Sequence, residues 1–124
     1  MIARQFHIML LGIFFLISAQ GFSQRKVLTD EEVVAEEVIK EIDAVFTSAE
    51  FLKKKTKKFK DVVGSMTVDI GVFEKGKVAT FFKVESDIKN IDFINFMSDY
   101  ILEHKFNFKL QKKQRYKIRY TVTF

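Results

Sequence analysis

The sequence predicts an α+β protein: a long N-terminal helix, then a β-hairpin, a second helix and a last β-strand, with the helices packed on an antiparallel three-stranded sheet. Three observations predict it. Apolar residues recur three or four apart from Val34 to Leu52, which is the period of a helix. They alternate with polar residues from Ser65 to Val84, interrupted only by a glycine-bearing turn, which is the period of a strand folded back on itself. They alternate again from Arg115 to Phe124. The hairpin, a helix and a strand in that order leave one sheet face for the helices to cover.

Taking the elements in order, residues 1–23 read as a secretory signal peptide. Arg4 supplies a basic start, Ile8 to Ile17 is apolar apart from Gly12, and the small residues Ala19, Gly21 and Ser23 precede a cut. The cut falls before Gln24 or, as the alternative, after Gly21. A retained membrane anchor is the competing reading, but the apolar core is about half of the ~20 residues that a spanning helix needs. No cysteine stands at the cut, so lipid attachment there is excluded. The expected destination is the periplasm or the exterior of the cell.

Residues 24–60 read as an amphipathic helix followed by a Lys-rich connector. Thr29 and Glu32 have the spacing of a capping box, flanked by Leu28 and Val33 as a hydrophobic staple, and Asp30, Glu31 and Glu32 sit at the positive end of the helix dipole. The helix runs from Glu31 to Leu52, with Val34, Val38, Ile42, Val45, Ala49 and Leu52 as its buried stripe.

Residues 61–124 read as a ββαβ unit that forms one compact domain with the helix. In the first strand Met66, Val68, Ile70 and Val72 point inward, and Glu74-Lys75-Gly76-Lys77 makes the turn. Val78, Thr80, Phe82 and Val84 alternate on the way back. Asn90 caps a helix from Ile91 to about His104, with Ile91, Ile94, Met97 and Ile101 on its apolar side, widened by Phe93 and Tyr100. In the last strand Tyr116, Ile118, Tyr120, Val122 and Phe124 face one way, and Arg115, Lys117, Arg119, Thr121 and Thr123 the other.

Composition sets further limits. The chain has no cysteine, so an exported domain must be held by packing alone, and the 11 of the chain's 15 Phe that follow residue 23 supply the apolar area for it. Residues 29–52 carry eight acids against Lys40, whereas residues 53–60 carry the six lysines Lys53, Lys54, Lys55, Lys57, Lys58 and Lys60 and nothing acidic. That run has two readings: a patch for anionic surfaces, through which alone membrane association is possible, or a solvated connector that neutralises the acidic helix. Nucleic acid is not an expected partner, because aromatics for base stacking are missing beyond Phe59.

Catalytic chemistry finds no foothold. His104 is the one histidine after the leader, and a lone histidine without cysteine makes no ordinary zinc site. The carboxylate pairs Asp30–Glu32 and Glu36–Glu37 fall on the exposed side of the acidic helix, where capping and solvation explain them. Ser65, Ser86 and Ser98 lie in no nucleophile-elbow sequence, and the five glycines are scattered rather than grouped into a phosphate loop. No enzyme, cofactor or metal is expected.

From Gly64 to Phe124 the chain resembles the C-terminal domain of the TonB family of energy transducers. The residues that carry this are Gly64 to Val72, then Lys75-Gly76-Lys77-Val78, Lys83-Val84-Glu85-Ser86, Ile91-Asp92, Lys105-Phe106 and the closing Tyr120-Thr121-Val122-Thr123-Phe124. The chain departs from the family in having no proline, hence no Pro-rich spacer, and in placing a helix where the spacer would stand. The resemblance implies a binding mode: the last strand, Arg115 to Phe124, accepts an extended peptide by strand addition, the partner being an envelope protein such as an outer-membrane transporter. Lys117 and Arg119 would then guard the edge against self-pairing. The competing function is a small apolar-ligand or lipid carrier, with Phe81, Phe82, Phe93, Phe96, Phe106 and Phe108 lining a cavity.

Overall fold

A computed structural model describes residues 25–124, so the expected signal peptide lies outside the described residues. Helices and strands follow in the order β1 (Lys26–Leu28), α1 (Glu31–Thr47), α2 (Ala49–Lys58), β2 (Ser65–Phe73), β3 (Lys77–Ser86), α3 (Ile91–Glu103), β4 (Phe108–Leu110) and β5 (Arg115–Thr123). The class is α+β, with an antiparallel sheet in the order β3-β2-β5. No helix among the described residues is long and apolar enough to cross a membrane.

The helical half differs from expectation in three places. Asp30, not Thr29, caps α1: its carboxylate accepts the Glu32 N–H at 2.8 Å, while the Thr29 carbonyl accepts the Tyr116 hydroxyl. The single helix to Leu52 is instead two, broken at Ser48. That residue is extended, with ψ 149°, and serves both sides of the break. Its N–H and Oγ donate to the Val45 carbonyl, and the same Oγ accepts the Phe51 N–H at 3.3 Å. A serine satisfies helix ends in this way because its short hydroxyl reaches backbone groups that the helix leaves unpaired.

The break also resets the buried stripe. Val34, Val38, Ile42 and Phe46 are buried on α1, and Phe51 takes the next core position, leaving Leu52 46% exposed. Phe51 lies within 4.9–6.0 Å, ring centre to ring centre, of Phe46, Phe96, Tyr100 and Phe124. As the third difference, Lys53 to Lys58 is helical rather than a connector, and only Lys60 lies past its end. Lysines in the last turn complement the negative end of the dipole there.

In β2 the expected alternation holds throughout: Met66, Val68, Ile70 and Val72 are buried, and the residues between them are not. The turn into β3 needs Gly76, whose φ is +71° and where a Cβ would run into the Phe108 carbonyl. On β3 the alternation fails. Its register against β2 shifts between Thr67 and Val68 and again between Gly71 and Val72, which places an extra residue, Val84 and Ala79 respectively, on β3. Val78 and Phe81 therefore lie opposite buried β2 residues, whereas Phe82 lies opposite Asp69 and is 60% exposed.

Asn90 caps α3 by accepting the Phe93 N–H at 3.0 Å, and Phe93, Met97 and Ile101 are its buried side. Ile91 does not join them and is 70% exposed. Between α3 and β5 the chain makes a strand that the sequence pattern does not announce: β4 pairs in parallel with β1, Lys26 opposite Phe108 and Leu28 opposite Leu110. Three residues are too short for a period, and the partner stands some eighty positions away.

The helices cover the face of the sheet that carries Met66, Val68, Ile70 and Val72. Helix α1 packs against β5 and α3 against β3. The opposite face carries Thr67, Asp69, Arg119 and Thr121 and is open.

Candidate functional site

Strand β5 is paired on one side only among the described residues. Which of its backbone groups remain open follows from one pair. Gly64 and Phe124 exchange both backbone hydrogen bonds, at 3.2 and 2.8 Å. In an antiparallel ladder such pairs alternate with pairs that exchange none. The β2–β5 register runs without a shift from Ser65↔Thr123 to Phe73↔Arg115. Even-numbered residues of β5 therefore bond inward to β2, and Arg115, Lys117, Arg119, Thr121 and Thr123 turn their N–H and C=O groups to the open edge. The side-chain contacts agree: Thr121 pairs with Thr67 at 2.9 Å and Thr123 with Ser65 at 2.8 Å, as closely opposed non-bonded positions allow.

The edge has a groove beside it. Asp43, Phe46 and Thr47 of α1 and Leu52 and Lys55 of α2 face Tyr120 to Phe124 across about 420 Å3. Its wall is fixed by Tyr120, whose hydroxyl donates to Asp43 Oδ1 at 2.6 Å. Burial, and then that carboxylate, hold the Tyr120 hydroxyl well above its ordinary ionisation range. A second chain laid along β5 would find main-chain partners on the strand and an apolar trough for alternate side chains.

Charge at the edge is arranged differently from the expected pair of guards. Arg119 reaches back over the open sheet face, its Nε and Nη2 donating to the two Asp69 carboxylate oxygens at 3.0 and 3.3 Å. Those bonds hold Asp69 below the usual carboxylate range. Lys117 is exposed opposite Gly71 and is the cation left to guard the edge.

No protein-family model matches this chain, and neither does any curated protein or any solved structure.

Five of the six lysines of the basic run lie on α2 and Lys60 lies past its end, and Lys54, Lys57 and Lys58 line one hollow with Phe96. Lys54 pairs with Glu50 at 3.2 Å and lies 5.6 Å from the centre of the Tyr100 ring. Lys55 donates to the Val62 carbonyl at 3.1 Å and lies over the Phe93 and Phe124 rings, so it closes the helix end. Lys53, Lys57, Lys58 and Lys60 are exposed.

Of the six phenylalanines expected around a cavity, Phe93, Phe106 and Phe108 are buried in the core, Phe81 and Phe96 pack against it, and Phe82 lies outside it. Phe93 and Phe96 belong to the aromatic cluster under α2, Phe106 stacks on Phe108, and Phe82 stands on the far face of the sheet. Neighbouring residues of a strand face opposite sides of the sheet, and the bulges on β3 make Phe81 rather than Phe82 the inward one.

His104 lies just past α3 with its Nε2 2.9 Å from Glu41 Oε1, and the same carboxylate accepts the Asn107 N–H. This ties α3 to α1. Among the described residues no three His, Cys, Asp or Glu side chains gather as a metal site would require. Sequence reasoning passed over the groove because Asp43 and Leu52 read as parts of a continuous helix. It also passed over Arg25, Lys75, Lys77, Lys105, Lys109 and Lys112, which converge only when β1 finds β4.

Proposed function

We propose that this protein is an exported, non-enzymatic interaction module that takes up an extended peptide along the free edge of β5. The observation that carries this reading is the phase of the strand: five consecutive odd-numbered residues, Arg115 to Thr123, offer unpaired backbone donors and acceptors at one straight edge. The other edge of the sheet is β3, where two bulges disturb the spacing that an incoming strand must match. The groove at Phe46, Leu52, Val122 and Phe124 supplies specificity for a peptide with apolar residues at alternate positions. The resemblance of residues 64–124 to TonB C-terminal domains implies the same use of the last strand, and the leader-like residues 1–23 support an encounter in the cell envelope.

The test is amide NMR of the protein titrated with peptides from the N-terminal segments of outer-membrane transporters. Shifts should concentrate in 115–124 and in Phe46 and Leu52. Proline at Thr121 removes an outward N–H without touching the bonds to β2, so Thr121→Pro should weaken binding about tenfold or more, while Thr121→Val keeps it. Proline at Ile118 is uninformative, because that amide bonds inward. Equal binding by Thr121→Pro and the parent would sink the reading.

A further inference from the structure

At the Phe73 end of β2, roughly 30 Å along the strand from Gly64, four separate segments meet. They are the residue before β1, the β2–β3 turn, the link between α3 and β4, and the turn after β4. Together they set Arg25, Lys75, Lys77, Lys105, Lys109 and Lys112 around an open cleft of about 560 Å3 with Leu110 at its floor. The cleft holds one carboxylate, Glu74, and that group accepts the Lys113 N–H at 3.0 Å. None of the six cations is in an ion pair among the described residues.

Six cations less Glu74 make +5, whereas residues 25–124 together carry 20 basic and 16 acidic residues, or +4. The rest of the described residues are therefore slightly acidic in sum, and the net positive charge lies here. Folding even sets two of these charges face to face, because Lys77 and Lys105 are opposite each other in an antiparallel bridge. Like charges so placed destabilise a fold. Arg25 is the rigid member: its Nη1 donates to the Lys75 carbonyl at 3.1 Å and to the Phe106 carbonyl at 3.2 Å, which holds the guanidinium at the rim. A fixed guanidinium among mobile ammonium groups, in a concave site of small-molecule size, recognises clustered oxyanions.

We propose that this cleft binds an anion carrying two phosphate groups, either free in solution or borne on a lipid headgroup. A terminal phosphate brings about −1.5 to −2 charges near neutral pH and a phosphodiester of a lipid headgroup about −1, so two phosphates bring about −2 to −4, which the excess of the cleft can neutralise. The site is independent of the β5 edge.

The experiment is calorimetric titration of the full 124-residue chain with inorganic pyrophosphate at matched ionic strength. Co-sedimentation with phosphatidylcholine vesicles, with and without cardiolipin, runs beside it. The double variant Lys77→Gln/Lys105→Gln removes the opposed pair, relieves repulsion and so retains the fold. It should lose about tenfold or more in pyrophosphate affinity, while Lys53→Gln/Lys57→Gln on α2 stays close to the parent. Cardiolipin-dependent co-sedimentation that the cleft variant loses assigns the lipid-borne source; pyrophosphate binding without co-sedimentation assigns the soluble one. The proposal is overturned if the parent responds to neither probe. It is equally overturned if both double variants lose affinity alike, since binding would then follow net charge and not the cleft.

Discussion

The Tyr120 hydroxyl sits between an acidic helix and the last strand, and its position makes stability depend on pH at the alkaline end. Its folded ionisation lies above that of an unfolded tyrosine, about pH 10, because burial and Asp43 both disfavour the phenolate. A group raised in this way contributes stability that is complete below the unfolded value and is lost as pH rises through the folded one. Urea midpoints measured from pH 8 to 11 should therefore fall above about pH 10 in the parent, and fall less steeply in Tyr120→Phe. Asp69 acts in the other direction: held low by Arg119, it contributes above the ordinary carboxylate range and ceases to do so in strong acid. Neither carboxylate identifies itself in the sequence. Asp43 reads as one of eight acids on a solvated helix, and Asp69 only as a polar position in a strand.

Helices and strands show how far periodicity carries and where it stops. The buried sides of α1, β2 and β5 were legible because each repeats its pattern over at least nine residues. The break at Ser48 was not, because a continuous helix through Leu52 preserves an apolar stripe equally well. What decides against it is tertiary: Phe51 buries more area than Leu52, and the aromatic cluster accommodates the larger ring. Truncating Phe51 to alanine should cost about 3–5 kcal/mol of unfolding free energy in urea titration. The same change at exposed Phe82 should cost under about 0.5 kcal/mol. The bulges on β3 were invisible for a related reason, since Thr80-Phe81-Phe82 fits either phase of a strand.

Across the molecule, charge is laid out unevenly. The acids cluster on α1, and the uncompensated cations gather at the β1–β4 end, where chain segments distant in sequence meet. Three ion pairs occur among the described residues, and two of them, Lys54–Glu50 and Arg119–Asp69, are largely exposed on the cation's side. Screening therefore removes little attraction and much repulsion. Raising sodium chloride from about 10 to 150 mM, which shortens the screening length from about 30 to 8 Å, should raise the melting temperature followed by circular dichroism. A fall would mean that the exposed pairs outweigh the cation cluster. That layout escapes a linear reading, because no window of the sequence contains the cluster. The uninterrupted phase of β5 has a consequence for inheritance. Its outward ladder is written in main-chain atoms, so substitutions at Arg115, Lys117 or Thr123 can drift through nearly every amino acid but proline and leave that ladder intact. A one-residue insertion exchanges every inward and outward position at once. What a lineage must preserve in this strand is length and parity more than composition.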